Sequence, residues 1–273
     1  MMMKRAIGFF PDRTESEIPE TVSSFPARVD TPVKSLVKIR FEDHPIELAY
    51  YNDLFDLRPG DVVYVSGKKA GCAGTVTSVT TKFRIRTSDY ERVLSLLDLT
   101  VHGHYARMKD KMVSFDDAAI SAEQFESWVT PPEDPKAKKD PDWEEEEIIS
   151  GEGYTMDLNN LGACEDLTDS IAQRASLYCS ERRVRYLQVR GGRGCAFVEG
   201  GRWYRVDFNL DGGMITDLYC DCPYPGLCKH GVAAALNLRM LMHQPQMQTM
   251  SRFTALDRSL FWKLASRAEE IEL

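Results

Sequence analysis

The chain has 273 residues, 43% of them hydrophobic, and a formal net charge of −8. That length supplies two ordinary domains with a core each. No stretch approaches the ~18 to 20 uninterrupted apolar residues of a membrane helix, and Met1-Met2-Met3-Lys4-Arg5 leads to Pro11 and acidic residues instead of an apolar signal core, so the expectation is a cytoplasmic protein without a membrane partner.

The negative charge is concentrated: residues 129–150 carry three basic and eight acidic side chains, whereas the stretches on either side are close to balance. Its seven cysteines are an odd number, and three of them fall within nine residues. A secreted disulfide framework shows an even count in a much shorter chain, so this crowding argues for metal.

In chain order, residues 1–32 give few apolar runs and stay unassigned. From Val33 to Arg86 come short β-rich runs, VKSLVKIRF, ELAYYN, GDVVYVSG, GTVTSVT and KFRIR, separated by Asp, Gly and Pro signals. Their spacing predicts a small, strongly bent sheet or barrel, similar to SH3-like or primosome-type barrels. Tyr90, Val93, Leu94 and Leu97 recur at helical spacing behind Ser88 or Asp89 as cap. A second helix is expected over Ala122–Val129 after Ser121, with Phe125 and Trp128 on one face as core anchors. These elements make up a barrel-like domain over 33–129.

Residues 130–150 hold four prolines and the Glu144–Glu147 run, and are read as a linker with too little apolar surface to repay ordering. The alternative is an exposed loop or charged helix of one continuous domain, docked by Trp143 and Ile148-Ile149.

Over 151–243, Leu167, Ile171, Ala175 and Tyr178 predict a helix capped by Asp166. VRYLQV, GCAFVEG, the run Arg202–Phe208 and Met214–Cys220 follow as a β-meander, with turns at Glu199-Gly200-Gly201 and Asp211-Gly212-Gly213. A helix then runs from about Cys228 to Met242 and ends before Pro245. In the tail, 244–273, Phe253, Leu256, Leu260, Phe261, Trp262 and Leu264 suggest an amphipathic helix packed on its own domain. The fold class expected is α+β.

The meander delivers its last strand to Cys220-Asp221-Cys222-Pro223-Tyr224-Pro225-Gly226-Leu227-Cys228-Lys229-His230, a CxCx5CxH pattern. At a strand end, Cys220 and Cys222 point to one face, and the prolines with Gly226 fold the chain back toward them. Three thiolates and one imidazole close a tetrahedral zinc site with no position left for water, which is a structural site rather than a catalytic one. The alternative is a set of buried free thiols or a CxC redox pair. The dipole of the helix beginning there, with Lys229, favours the thiolate of Cys228.

From Leu167 to Leu241, about a quarter of the chain, the sequence resembles the SWIM zinc finger. Besides CxC and CxH, the resemblance is carried by Tyr204-x-Val206, Cys222-Pro223-Tyr224, the alanines after Cys228-Lys229-His230, and the lead-in from Ile171 to Gln188. It implies one structural zinc and recognition of DNA or protein, in the company of helicase-like enzymes, transposases or ubiquitin-type ligases. No Walker-type GxxxxGK[ST] is present, so the ATPase that often accompanies such a domain is not encoded in this sequence.

Arg182, Arg183, Arg185, Arg190, Arg193, Arg202 and Arg205, interleaved with Tyr186, Trp203 and Tyr204, are candidates to neutralise phosphates and stack on bases. Arg182, Arg183, Arg185, Arg202 and Lys229 are the proposed nucleic-acid contacts. The alternative is the solvated face of a sheet. His102 and His104 with Asp110, Asp116 and Asp117 are a weaker metal candidate, and the Ser66–Gly71 loop an anion candidate. Cys72, Cys164, Cys179 and Cys195 read as buried small apolar residues. No nucleophile–base–orienter set is recognisable. The function expected is that of a non-enzymatic accessory protein, binding nucleic acid or serving as an adaptor for a helicase-like partner.

Overall fold

A computed structural model describes residues 6–7, 31–134, 153–247 and 250–265, so most of the acidic segment read as a linker lies outside the described residues. The chain divides into two compact units, one of Phe10–Leu99 and Ser127–Glu145, the other of Met1–Phe9, Thr100–Glu126 and Glu146–Leu273. Among the described residues the strands form two antiparallel sheets with few helices, a mixed α+β architecture.

Strand β1 (Ala6–Ile7) belongs to the second unit. The first unit holds β2 (Ser35–Arg40), β3 (Leu48–Asn52), β4 (Val62–Val65), β5 (Ala73–Thr80) and β6 (Val93–Leu96), in the order β3-β2-β5-β4-β6. Alternation of apolar and polar residues along β2 buries Val37 and Ile39 and exposes Lys38 and Arg40. Those side chains join Phe41, Val63, Val65, Val76 and Val93 in one core. Gly74 sits where a Cβ would lie 2.4 Å from the Ile39 Cγ2, so only glycine lets β5 cross that core. Buried Asn52 ties the sheet's end together, donating to the Ser35 Oγ (2.9 Å) and the Phe55 carbonyl (2.7 Å).

The sheet expected here is present as an open order of five strands rather than a closed barrel, with an isolated bridge between Tyr51 and Arg92. The helix expected from Tyr90 to Leu97 is instead a short 3-10 turn, Thr87–Asp89, followed by β6, which pairs with β4. The spacing of Val93 and Leu97 is even, so it suits a strand face as well as a helix, and the open edge of β4 decides between them. The KFRIR run lies outside any ladder.

The second unit adds β7 (Tyr105–Met108), β8 (Lys111–Ser114), α1 (Ala122–Val129), β9 (Tyr154–Asp157), α2 (Asp169–Ser180), β10 (Val184–Arg190), β11 (Arg193–Glu199), β12 (Trp203–Asp211), β13 (Met214–Cys220), α3 (Lys229–Met242), β14 (Arg252–Asp257) and α4 (Arg258–Ala265). The division between units falls within α1. The sheet order is β1-β7-β8-β14-β10-β11-β12-β13-β9. The expected meander is its β10–β13 segment, and at its last hairpin Gly212 and Gly213 take φ of 54° and 91°, the left-handed conformation that a two-residue turn demands.

Strands β7 and β8, read in sequence with the N-terminal domain, hydrogen-bond into this larger sheet through β14. The tail is likewise not helical throughout. Phe253 and Leu256 lie on β14, inserted between β8 and β10, and the α-helix covers Arg258–Ala265. A strand buried on both faces is apolar almost without interruption, so it carries no period-2 signature. The α2 cap is Thr168, whose Oγ1 accepts from the Ile171 N–H, not Asp166.

The sheet of the second unit is covered on both faces. On one, α2 and α3 pack over Val184, Leu187, Ala196, Val198, Val206 and Phe208. Ala233, Ala234 and Ala235 are fully or nearly fully buried there, and their small side chains allow α3 to lie close to the strands. On the other, Phe125 stacks on Tyr186 (4.7 Å between centroids) and contacts Phe197.

Candidate metal centre

Each ligand-type residue is placed by an element that ends or begins at it. Cys220 closes β13, held beside Val206 of β12. Cys222 lies in the turn that follows, and Cys228 is the N-cap of α3, its Sγ accepting from the Gly231 N–H at 3.4 Å. His230 is the second residue of that helix. Asp221 pins the knuckle between the first two cysteines, since its N–H donates to the Arg205 carbonyl (3.1 Å) and its carboxylate accepts from the Arg205 N–H (3.0 Å).

The four ligand atoms all lie within 4.8 Å of one another, the only such group of three or more His, Cys, Asp or Glu among the described residues. The His230 Nδ1 is 3.9 Å from the Cys220 Sγ and 3.8 Å from the Cys228 Sγ. Zinc bonds to sulfur and nitrogen of ordinary length span an S···N edge of roughly 3.5 Å in a tetrahedron, so a small contraction closes the site. Nδ1 is thus the nitrogen turned toward the sulfurs, and the Nε2 is buried without a hydrogen-bond partner among the described residues. Tyr204 stacks on the imidazole at 4.1 Å and 19°, and Tyr178 meets it edge-on at 5.4 Å, which holds Nδ1 toward the sulfurs.

Electrostatics make the cluster want a cation. The Cys228 thiol is pulled down to about 4, first by the hydrogen bond from the Cys220 thiol, then by His230 and the Gly231 N–H against the opposing cost of burial. The Cys220 thiol is pushed up, first by that same hydrogen bond and then by burial, and burial raises Cys222. Three thiols crowded together and partly or fully buried cannot all carry charge without a compensating cation. A divalent ion lets all three ionise.

Three of the basic residues singled out in the sequence border this centre. Arg183 and Lys229 sit over the Tyr178 ring at 5.2 and 4.7 Å, and Arg202 over Tyr204 at 4.9 Å. Arg183 also pairs with Glu181, and Arg202 with Asp221. Arg185 is bound to Glu199 (2.6 Å) and to fully buried Asp257 (3.1 Å). Arg182 takes a left-handed φ of 56° just past α2 and approaches Asp257 at 3.8 Å. Arg190 donates to the Asp117 carbonyl, and Arg205 pairs with Glu126 and Asp207.

Sequence reasoning missed Asp257, because the strand that buries it was read as helix. Its Oδ1 caps α4 through the Ser259 and Leu260 N–H groups. Lys111, opposite it in the β8–β14 ladder, is buried and donates its ammonium to the Val184 carbonyl.

The weaker candidates resolve locally. His104 pairs with Asp116 at 3.0 Å, and no third ligand joins them in a metal-type group among the described residues. In the Ser66–Gly71 loop the Gly67 N–H does hold an anion, the carboxylate of Asp134 at 2.7 Å. Cys195 is buried, Cys179 receives a hydrogen bond from Asn237 at 3.2 Å, and Cys72 and Cys164 pack beside the two cores. Among the described residues no helix is long and apolar enough to cross a membrane.

No curated protein and no solved structure matches this chain. The family model of the SWIM zinc finger matches residues 204–239, from the tyrosine that stacks on His230 to the last turns of α3. The matched stretch contains the cluster just described, so the chain carries a SWIM zinc finger whose Cys220, Cys222, Cys228 and His230 are positioned to bind one zinc ion.

Proposed function

We propose that the protein is a non-catalytic accessory module in which zinc fixes a surface that binds nucleic acid, DNA foremost. The observation that carries this reading is the collar of cations on aromatic rings about His230, formed by Arg202 on Tyr204 and by Arg183 and Lys229 on Tyr178. Cations held on ring faces lose little freedom on meeting phosphate, and the ring edges beside them offer apolar surface to a sugar or base. Four protein ligands complete a tetrahedral zinc and leave it no open position, which supports a structural rather than a catalytic ion. Of the basic residues named from sequence, Arg183, Arg202 and Lys229 carry the proposal. Arg182 and Arg185 contribute by holding the strand end through Asp257.

The test is fluorescence anisotropy of zinc-loaded protein with labelled duplex and single-stranded DNA at low and moderate salt. Salt-sensitive binding that weakens when Arg183, Arg202 and Lys229 are together changed to Gln is the expected result, and no binding at low salt ends the reading.

A protein partner, such as a helicase-like enzyme, is the second reading. It is favoured by two exposed aromatics next to the ligands, Tyr219 at 40% and Tyr224 at 56% exposure. Loss of a co-purifying partner in Tyr224→Ala, with zinc retained, would select it.

A further inference from the structure

In the zinc unit Arg182, Arg183, Arg185, Arg202, Arg205 and Arg252 are held by that unit's own carboxylates. The N-terminal unit pairs one set of its cations and leaves another exposed. Its carboxylates are engaged on one set of cations, Glu47 with Arg40, Asp43 with Lys69, Asp53 with Arg92 and Asp56 with Arg58. Lys34, Lys82, Arg84 and Arg86 are all exposed and make no ion pair or side-chain hydrogen bond among the described residues. Exposed, unpaired positive charge is therefore present on this unit, although the whole chain is acidic.

These cations are also arranged. Along 82–86 exposure alternates: Lys82, Arg84 and Arg86 face solvent, while Phe83 and Ile85 turn down. Phe83 meets the Tyr51 ring at 6.3 Å, which anchors the run on the outer face of the sheet. That face is registered through Tyr51, Leu36 and Thr80 and, one step on, Ala49, Lys38 and Ser78, so exposed Lys38 adds a further cation to it. Alternate residues of extended chain lie about 7 Å apart. This is close to the spacing of successive phosphates along an extended strand, and the run has no ladder partner.

We propose that the face of the N-terminal unit formed by Lys82, Arg84 and Arg86 is a backbone-reading contact for nucleic acid. This rests on the nucleic-acid reading above and adds to it a second surface, outside the zinc finger. Contact is to phosphate and indifferent to sequence, because Tyr51 and Phe83 pack against each other and the residues between the cations offer no exposed ring to a base. A lipid surface is disfavoured for the same reason, since the apolar members of the run point into the protein.

The experiment uses the full-length, zinc-loaded protein and a fluorescein-labelled single-stranded oligonucleotide of mixed sequence. A variant with Lys82→Gln, Arg84→Gln and Arg86→Gln is compared with wild type and with the Arg183, Arg202 and Lys229 neutral variant. The expected result is at least a tenfold loss of affinity at about 50 mM salt and a log–log salt slope shallower by about 2, with melting and zinc content unchanged. Restored affinity in Lys82→Arg/Arg84→Lys/Arg86→Lys would confirm that charge is what matters.

Unaltered binding by the 82–86 variant, with loss in the zinc-side variant, overturns this inference and leaves the proposed function standing. No binding by wild type overturns both. Tighter binding of poly-glutamate than of the oligonucleotide reassigns the face to an acidic protein partner and also overturns it.

Discussion

The two units solve the problem of holding a sheet together by different means. The five-stranded sheet closes its core with aliphatic and aromatic side chains, and its one deeply buried amide, Asn52, is satisfied by neighbours in sequence and on the next strand. In the larger unit, the last strand of the meander and the helix after it meet through four ligand atoms, three of them thiols that conflict without a cation. Apolar burial is non-directional and tolerates local change, whereas coordination is directional and fails as a whole. Metal dependence is therefore expected to be confined to one unit.

The strongest way to break this comparison is to remove the metal. Cys222→Ser, or a chelator, should melt the zinc unit early while the five-stranded unit keeps its own transition. Structural zinc sites contribute about 10 kcal/mol or more in isolated fingers, so calorimetry should resolve two steps. A single transition unchanged from wild type would show that the ion is dispensable.

Next in size is Asp257→Ala, which strands Lys111 and Arg185 beside a buried position and should cost about 3–5 kcal/mol in denaturant unfolding of the zinc unit. The pH sign follows from the same residue. Burial pushes its carboxyl up, but the Ser259 and Leu260 donors with the Lys111 and Arg185 charges outweigh this and leave it below its ordinary 3.8. Its stabilisation is thus complete above that value and drains away as pH falls through the lowered one, a dependence that Asp257→Ala should lack.

In the other unit, Ile39→Ala should cost about 2–5 kcal/mol through lost burial and a cavity, with zinc stoichiometry unchanged. Coupled loss of zinc would refute the independence of the two units. The smallest effect is expected for Tyr204→Leu. Removing the stack on His230 should cost about 1 kcal/mol and accelerate zinc release to a chelator, because the imidazole is then freer to turn Nδ1 away.

Much of the zinc site was legible because its determinants are local. Cysteines two apart at a strand end, turn-forming prolines and a helix N-terminus at Cys228 fix ligand direction within eleven residues. The meander was legible too, since its hairpins are marked by Gly-Gly pairs. Where the reading failed, the deciding partner was far away in sequence. Val93–Leu96 became a strand because β4 had an open edge, and Phe253–Leu256 because β8 and β10 left a gap between them.

By itself, then, the sequence determined the α+β class, the four ligands and the elements that present them, all of which depend on neighbours a few bonds apart. Only the tertiary structure decided which strands joined which sheet, which carboxylate each arginine found, and that Lys82, Arg84 and Arg86 found none among the described residues. Strand partners and ion pairs are chosen by whichever edge or charge the fold brings within reach, and spacing along the chain does not encode that distance.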